Sequence, residues 1–437
     1  MTTALPLLIG SVLLVGTTAA DPSPARQRPT VSEFLGLNTH TVQFQPPRYE
    51  GVVRHLRDYH PMGWDLGDDT AQLPPWPQAK NKVDWRRVYG SWVDAGFVPN
   101  VCLMESNVKP GDWKDLDRDT EAYARSFAEA FGPGGRWPLV PAVGIGNEPG
   151  GYSDEEYLRL FDAMSRGLRA GDGRLLITTC NVKAQPSGQY WKSADLFRDR
   201  LDSFDVITTH SYAMTEGWPT WRRTYPENPA TPFLAEVRDL LAWRDRNAPG
   251  KQVWVNEFGW DASTKPATGE GTFGRWEDVS DEEQAIYLVR AALLFMSMGV
   301  DRAYVYFFDD RDEPKLHASS GITRHGEPKP AWHALRHLQR TLGDYRFDRV
   351  LDSEPGVHRL AFVHKDDPRR RAVVLWSTAE VAATPGFLRG AAGGTPVKSV
   401  EWLALTAEPP APLAADATVA DLRRPVFILV EEPSTGR

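Results

Sequence analysis

Two glutamates in this sequence are set up alike. Residues Leu139 to Gly151 read L-V-P-A-V-G-I-G-N-E-P-G-G, an apolar run of strand length that ends on Asn147 and Glu148 and is broken by Pro149 and two glycines. Such a run reads as a buried strand that delivers a carboxyl to a loop mouth. The design returns at Gln252 to Asp261, Q-V-W-V-N-E-F-G-W-D, where a Val/Trp-rich strand ends in Asn256 and Glu257 ahead of Gly259. A single carboxyl at a strand end is often only a helix cap or the partner of an arginine. Two presented in the same way suggest a pair facing one cleft. At a separation of about 5 to 5.5 Å, one carboxyl can attack an acetal carbon while the other protonates the departing oxygen, with retention of configuration. Within such a pair the charge on the ionised member helps to keep the proton on its neighbour.

Strand-like and helix-like segments alternate around these two glutamates. The spacing predicts strands at Phe34–His40, His55–Tyr59, Val98–Met104, the run ending at Glu148, Leu175–Cys180, Phe204–Thr209, the run ending at Glu257, and Arg302–Phe308. Helical periodicity, with acidic caps at the starts and glycines beyond several ends, predicts helices at Val83–Ala95, Leu116–Phe131, Ser153–Gly171, Ala194–Leu201, Pro232–Arg246, Asp281–Met298 and Pro330–Leu342. Eight strands, nearly all followed by a helix, predict an α/β fold, a (β/α)8 TIM barrel over residues 31–344. Its active site belongs at the C-terminal ends of the strands. That rule gathers His40, Arg57, Glu105, Glu148, Asn181, His210, Glu257 and Asp309 at one rim. Beyond residue 344, period-two alternation at Val357–His364, Arg371–Ser377, Lys398–Leu405 and Pro425–Glu431 predicts a small C-terminal antiparallel β domain, sandwich-like, over 345–437.

The chain has 437 residues, 41% of them hydrophobic, enough for a large domain and a smaller one. A net charge of −8 brings no basic excess, which excludes nucleic acid as the expected partner. With 16 Trp, 13 Tyr and 18 Phe the chain suits sugar stacking and a large core equally well. Trp64, Trp76, Trp113, Trp191, Trp218, Trp221, Trp260 and Trp276 fall mostly in segments after strands, and Trp260, just beyond Glu257, is the foremost candidate platform for a sugar. Specificity is expected in the loops Pro61–Lys82 and Gly217–Tyr225, the second carrying the basic pair Arg222-Arg223. No H-x-H or H-E-x-x-H occurs, so neither a metal nor another cofactor is expected. Cys102 and Cys180 read as two buried thiols rather than a disulfide. At the start, the apolar stretch Ala4–Gly16 and the small residues Thr18-Ala19-Ala20 predict a signal peptide over 1–20, with an uncleaved anchor as the alternative. A proline-bearing tether follows over 21–30, so the mature chain is expected outside the cytoplasm, secreted or periplasmic, without a membrane span.

At Asn147-Glu148-Pro149 on the fourth strand and Asn256-Glu257-Phe258-Gly259-Trp260 on the seventh, the chain resembles clan A of the glycoside hydrolases, retaining glycosidases built on a TIM barrel. The likeness spans the barrel. Asp84-Trp85 through Gly96-Phe97-Val98-Pro99, together with the β appendage, is most similar to family 39, with families 5 and 30 as neighbours. The resemblance implies Glu148 as acid/base and Glu257 as nucleophile, with Asn147 on the 2-hydroxyl beside the scissile bond. It further implies that His210 and Tyr212 bond substrate or nucleophile, and that Arg57 holds Glu257 ionised. His40, Asn181, Glu105 and Trp260 are further candidates for substrate contact. One departure stands out: clan A enzymes often place a tryptophan at the end of strand eight, where this chain has Phe307, Phe308, Asp309 and Asp310. The expected activity is cleavage of O-glycosidic bonds in an oligo- or polysaccharide by double displacement. A non-catalytic carbohydrate-binding barrel is the alternative.

Overall fold

Eight parallel strands close on themselves. They are β1 (Leu35–Thr39), β2 (His55–Pro61), β3 (Val98–Met104), β4 (Ala142–Ile145), β5 (Leu176–Lys183), β6 (Val206–His210), β7 (Gln252–Phe258) and β8 (Arg302–Val305). Each pairs with its successor in chain order, and β8 returns to β1. This computed structural model describes residues 27–217, 220–384, 396–408 and 421–432, with 386, 388, 390 and 413 between them. The expected signal peptide, most of the tether and Trp218 lie outside the described residues.

The strands are buried almost throughout, because helices cover their outer faces and side chains fill the interior. The long helices are α1 (Trp85–Asp94), α2 (Leu116–Phe131), α3 (Asp154–Gly171), α4 (Phe233–Asn247), α5 (Asp281–Met298) and α6 (Pro330–Leu342). Asp84 and Asp115 cap α1 and α2, while Ser153 with Glu156 and Ser280 with Glu283 form the reciprocal boxes that open α3 and α5. At the barrel floor Ala142, Val206, Trp254 and Tyr304 form a plug. Gly36 makes it possible: a Cβ there would lie 2.4 Å from the Tyr304 ring. A filled floor leaves the opposite, C-terminal rim as the open end.

The predicted barrel elements recur with ends shifted by a few residues, and three differences matter. Strand eight stops at Val305 rather than Phe308, since Tyr306 N–H still bonds Phe258 O but Phe307 N–H turns to Ser320 O. Asp309–Asp310 then pairs with Thr323–Arg324 in a small ribbon. The expected helix at 194–201 is two short 3-10 turns, Ala194–Phe197 and Leu201–Ser203. A strand at Tyr345–Val350 went unread because its outer residues are charged.

That strand, β9, begins the C-terminal domain and continues with β10 (Val357–His364), β11 (Arg370–Ser377), β12 (Val397–Trp402) and β13 (Val426–Glu431), arranged 9-10-11-13-12 and antiparallel throughout. Among the described residues this is one sheet, not the expected sandwich. Its inner residues Phe347, Phe362, Val374, Trp376 and Phe427 belong to the barrel's own hydrophobic core, so the barrel supplies the second layer. Alternate residues Val373, Leu375, Val426 and Ile428 make a separate cluster on the outer face. A polar bridge reinforces the seam: Trp376 Nε1 donates to Glu227 Oε1 at 2.6 Å, and Arg290 of α5 pairs with the same buried carboxylate. Cys102 and Cys180 are buried free thiols. No helix among the described residues is long and apolar enough to cross a membrane.

Candidate active site

The upper end of β7 is irregular on both sides, with register shifts between Thr209 and His210 against β6 and between Val255 and Phe258 against β8. Such irregularities re-aim a side chain. Here the side chain is Glu257, with only 7% of its surface exposed. Arg57 and Tyr59, two apart on β2 and so on one face, both reach it: Arg57 Nη1 donates to Glu257 Oε1 at 3.0 Å and Tyr59 Oη donates to the same oxygen at 2.6 Å. On the other oxygen, Tyr212 Oη donates to Oε2 at 2.8 Å. Burial by itself pushes the Glu257 pKa upward. The His210 ring, the Arg57 guanidinium and the two phenol hydroxyls outweigh it and hold the carboxyl well below the usual carboxylate range. Burial and the Glu257 charge raise both phenols, which therefore remain donors.

Glu148 is reached differently. Gly146, at φ +82°, turns the chain off β4 in a conformation that suits glycine. Asn147 follows, with Arg57 Nη2 donating to its Oδ1 at 2.7 Å. The same guanidinium donates to Asn38 Oδ1 at 3.0 Å, so one arginine links β1, β4 and β7. Glu148 is 30% exposed, and its partner is His210, whose Nδ1 lies 2.8 Å from Glu148 Oε1 and 3.4 Å from Glu257 Oε2. One oxygen of each glutamate and a ring nitrogen of His210 all lie within 4.8 Å of one another. The two carboxyls therefore meet over a single histidine, one deep and charged, the other open to solvent.

Six of the residues named from sequence converge here: Glu148, Glu257, Asn147, His210, Tyr212 and Arg57. His40 joins them at the edge, stacked on Tyr59 at 5.4 Å between ring centres and lining a cavity of about 340 Å³ with Tyr306, Phe308, Arg311 and His317. Three do not reach the cleft. Asn181 is 3% exposed and spends its amide on backbone, accepting from His210 N–H at 2.9 Å and donating to Tyr190 O at 2.8 Å. Glu105 is 1% exposed and accepts the Asn147 N–H at 3.0 Å. Trp260 is 0% exposed, its ring against Phe233 and Tyr287 and its Nε1 donating to Thr224 O at 2.6 Å, so it is core and not a platform. Trp113 and Trp276 are buried as well, whereas Trp221 stacks on Phe273 at 5.2 Å. Asp309 accepts from Thr323 and Gly326, and Asp310 pairs with Lys329. The basic pair is neutralised: Arg222 bonds Glu277 and Arg223 bonds Asp261.

Sequence reasoning missed Tyr59, although its spacing from Arg57 signalled a shared face. It also missed Tyr306, which follows the true end of β8 and stands near Tyr59 and Tyr212, at 6.3 and 6.4 Å between ring centres. Glu148, His210 and Glu257 are also the one group among the described residues with donor atoms close enough to hold a metal ion. Their bonding fits a cation poorly. Arg57 and two hydroxyls already occupy the Glu257 oxygens, and the fixed guanidinium charge repels a second positive centre.

No family model matches the chain, and no curated protein sequence does. Similar solved structures exist. A family 39 glycoside hydrolase from the gut symbiont Bacteroides cellulosilyticus WH2 aligns with a TM-score of 0.65 at 17% identity, over 92% of this chain and 81% of that one. A glucosidase from Croceicoccus marinus aligns with a TM-score of 0.63 at 14% identity, over 93% and 97%. An α-L-arabinofuranosidase from Thermotoga maritima aligns at 0.57 and 14%, over 92% and 97%. The chain thus has the fold of these glycoside hydrolases, a TIM barrel carrying a C-terminal β domain.

Proposed function

We propose that this protein is a retaining glycoside hydrolase acting on O-glycosidic bonds of an oligo- or polysaccharide. The observation that carries the reading is the unequal pair: Glu257, buried and kept ionised, beside half-open Glu148 with carboxyl oxygens within 4.8 Å. The ionised carboxylate attacks the anomeric carbon. Glu148 protonates the leaving oxygen, then takes a proton from water as that water opens the glycosyl ester. Arg57 orients Asn147 through its Oδ1, which leaves Asn147 Nδ2 for a substrate hydroxyl. Tyr306 and His40 border the sugar, and Tyr306 follows the end of strand eight, the position where clan A enzymes often carry a tryptophan.

Incubation with a panel of activated 2-fluoro-glycosides, followed by peptide mass spectrometry, tests the reading. A sugar is expected on the peptide containing Glu257. Label on the Glu148 peptide would reverse the roles, and no turnover or label with any sugar would favour a non-catalytic binding barrel. The proposal includes export, supported by the apolar stretch Ala4–Gly16 and the small residues after it. N-terminal sequencing of the protein recovered from its native compartment is expected to begin near Asp21.

A further inference from the structure

Glu105 belongs to neither half of the catalytic pair, yet it sits directly behind one of them. The β3–β4 ladder stops at Ile145 and the β4–β5 ladder at Gly144, so Asn147 lies beyond both. Its carbonyl is taken by Asn181 N–H at 2.9 Å, and its N–H by Glu105 Oε2 at 3.0 Å. A side chain has replaced a strand. The other carboxyl oxygen, Oε1, is buried without a hydrogen-bond partner among the described residues.

The charged and titratable groups facing Glu105 come from every neighbouring element. Cys102 lies on its own strand, Arg57 on β2, Glu148 beyond β4, Tyr152 and Tyr157 before and on α3, and Cys180 on β5. Arg57 is the cation of this set, and its guanidinium is committed to Glu257, Asn38 and Asn147. Lys192, on the far side of Tyr157, spends its amine on Tyr152 O and Asp154. A carboxylate with an orphaned oxygen in a dry, cation-poor place is unstable relative to the acid.

We propose that Glu105 is a neutral positioning residue, a carboxylic acid whose carbonyl oxygen receives the Asn147 N–H and so fixes the bend that presents Asn147 and Glu148 to the cleft. The proton resides on Oε1. Burial raises the Glu105 pKa, and Glu148 adds to that once it has given up its proton, against the lowering by its own and the Asn147 N–H and by Arg57. An ionised Glu105 would place a second negative charge behind a group that has to become negative when it gives up its proton. Neutrality lets one residue hold the bend without burdening the chemistry.

The activity arm of the test rests on the glycosidase reading; the spectroscopic arm does not. Infrared difference spectra of the native protein against E105Q at neutral pH should show the carbonyl band of a protonated carboxyl, lost in the variant. E105Q keeps an acceptor for the Asn147 N–H, so its kcat/KM should stay within about three-fold of native with the same pH profile, whereas E105A should lose about 10²-fold, as misplacements of about 1 Å do. Absence of the band in the native protein overturns the proposal. So does an E105Q that falls as far as E105A, or that moves the alkaline limb of the pH profile. A band present in a native protein inactive on every glycoside would sink the glycosidase reading and leave this one standing, and E105Q carries both readouts should E105A not fold.

Discussion

The two halves of the cleft differ in how tightly they are built. Around Glu257, three donors, Arg57 and Tyr59 from β2 and Tyr212 just beyond β6, converge on one nearly sealed carboxylate, with the His210 ring 3.4 Å away. Around Glu148 there is one imidazole and open solvent. Dense donors in a dry place fix a charge, whereas Glu148 keeps a single partner and an open face. On the proposed reading, the static half attacks and the open half moves protons.

That contrast can be broken most sharply by removing each carboxyl in turn. Glu257→Ala should lower kcat by on the order of 10⁴-fold or more with every leaving group, and pre-steady-state mixing should show no burst. Glu148→Ala should cost about 10² to 10⁴-fold for poor leaving groups, far less for activated aryl glycosides, and azide should restore turnover; equal losses for both leaving groups would contradict the assignment. Arg57→Met strips the buried charge of its cation, which should cost about 3 to 5 kcal/mol in urea unfolding near neutral pH. Tyr59→Phe should cost about 10 to 100-fold in kcat/KM, the value of a hydrogen bond to a charged group. Its sign with pH is fixed: Glu257 is held low in the folded protein, so losing a donor raises its pKa and moves the acid limb of kcat/KM to higher pH. An acid limb that stays in place would dissociate Tyr59 from the nucleophile. Smallest is Trp260→Phe, which removes the bond to Thr224 O and should cost about 1 kcal/mol of stability with KM unchanged; a raised KM would return Trp260 to the sugar.

Much of this was legible in the sequence because a parallel barrel repeats one sentence eight times: apolar run, polar end, helix. Asn147-Glu148 and Asn256-Glu257 stood out against that repetition. What strand position cannot tell is whether a rim residue sees solvent, which depends on side chains arriving from other strands. Asn181 and Glu105 are at strand ends, yet both are consumed by backbone that the ladders leave unpaired. Trp260 is near Glu257 in sequence, but Gly259 is pressed against Tyr306 O, where a Cβ would lie 2.2 Å away, and the chain turns the indole inward. Tyr306 was hidden for a simpler reason. In R-A-Y-V-Y-F-F nothing apolar marks where the ladder stops, and only the competing bond from Phe307 to Ser320 does.

The shared layer between barrel and C-terminal sheet has a consequence for anyone reshaping this protein. Phe347, Phe362, Trp376 and Phe427 are as much part of the barrel's interior as Leu37 or Phe258, and Trp376 grips a carboxylate on the segment that follows Tyr212. There is no clean place to cut. A shortened version would leave a raw oily wall where the sheet had been and would loosen the segment beside Tyr212, the phenol that bonds Glu257, so the appendage has to travel with the barrel in any hybrid.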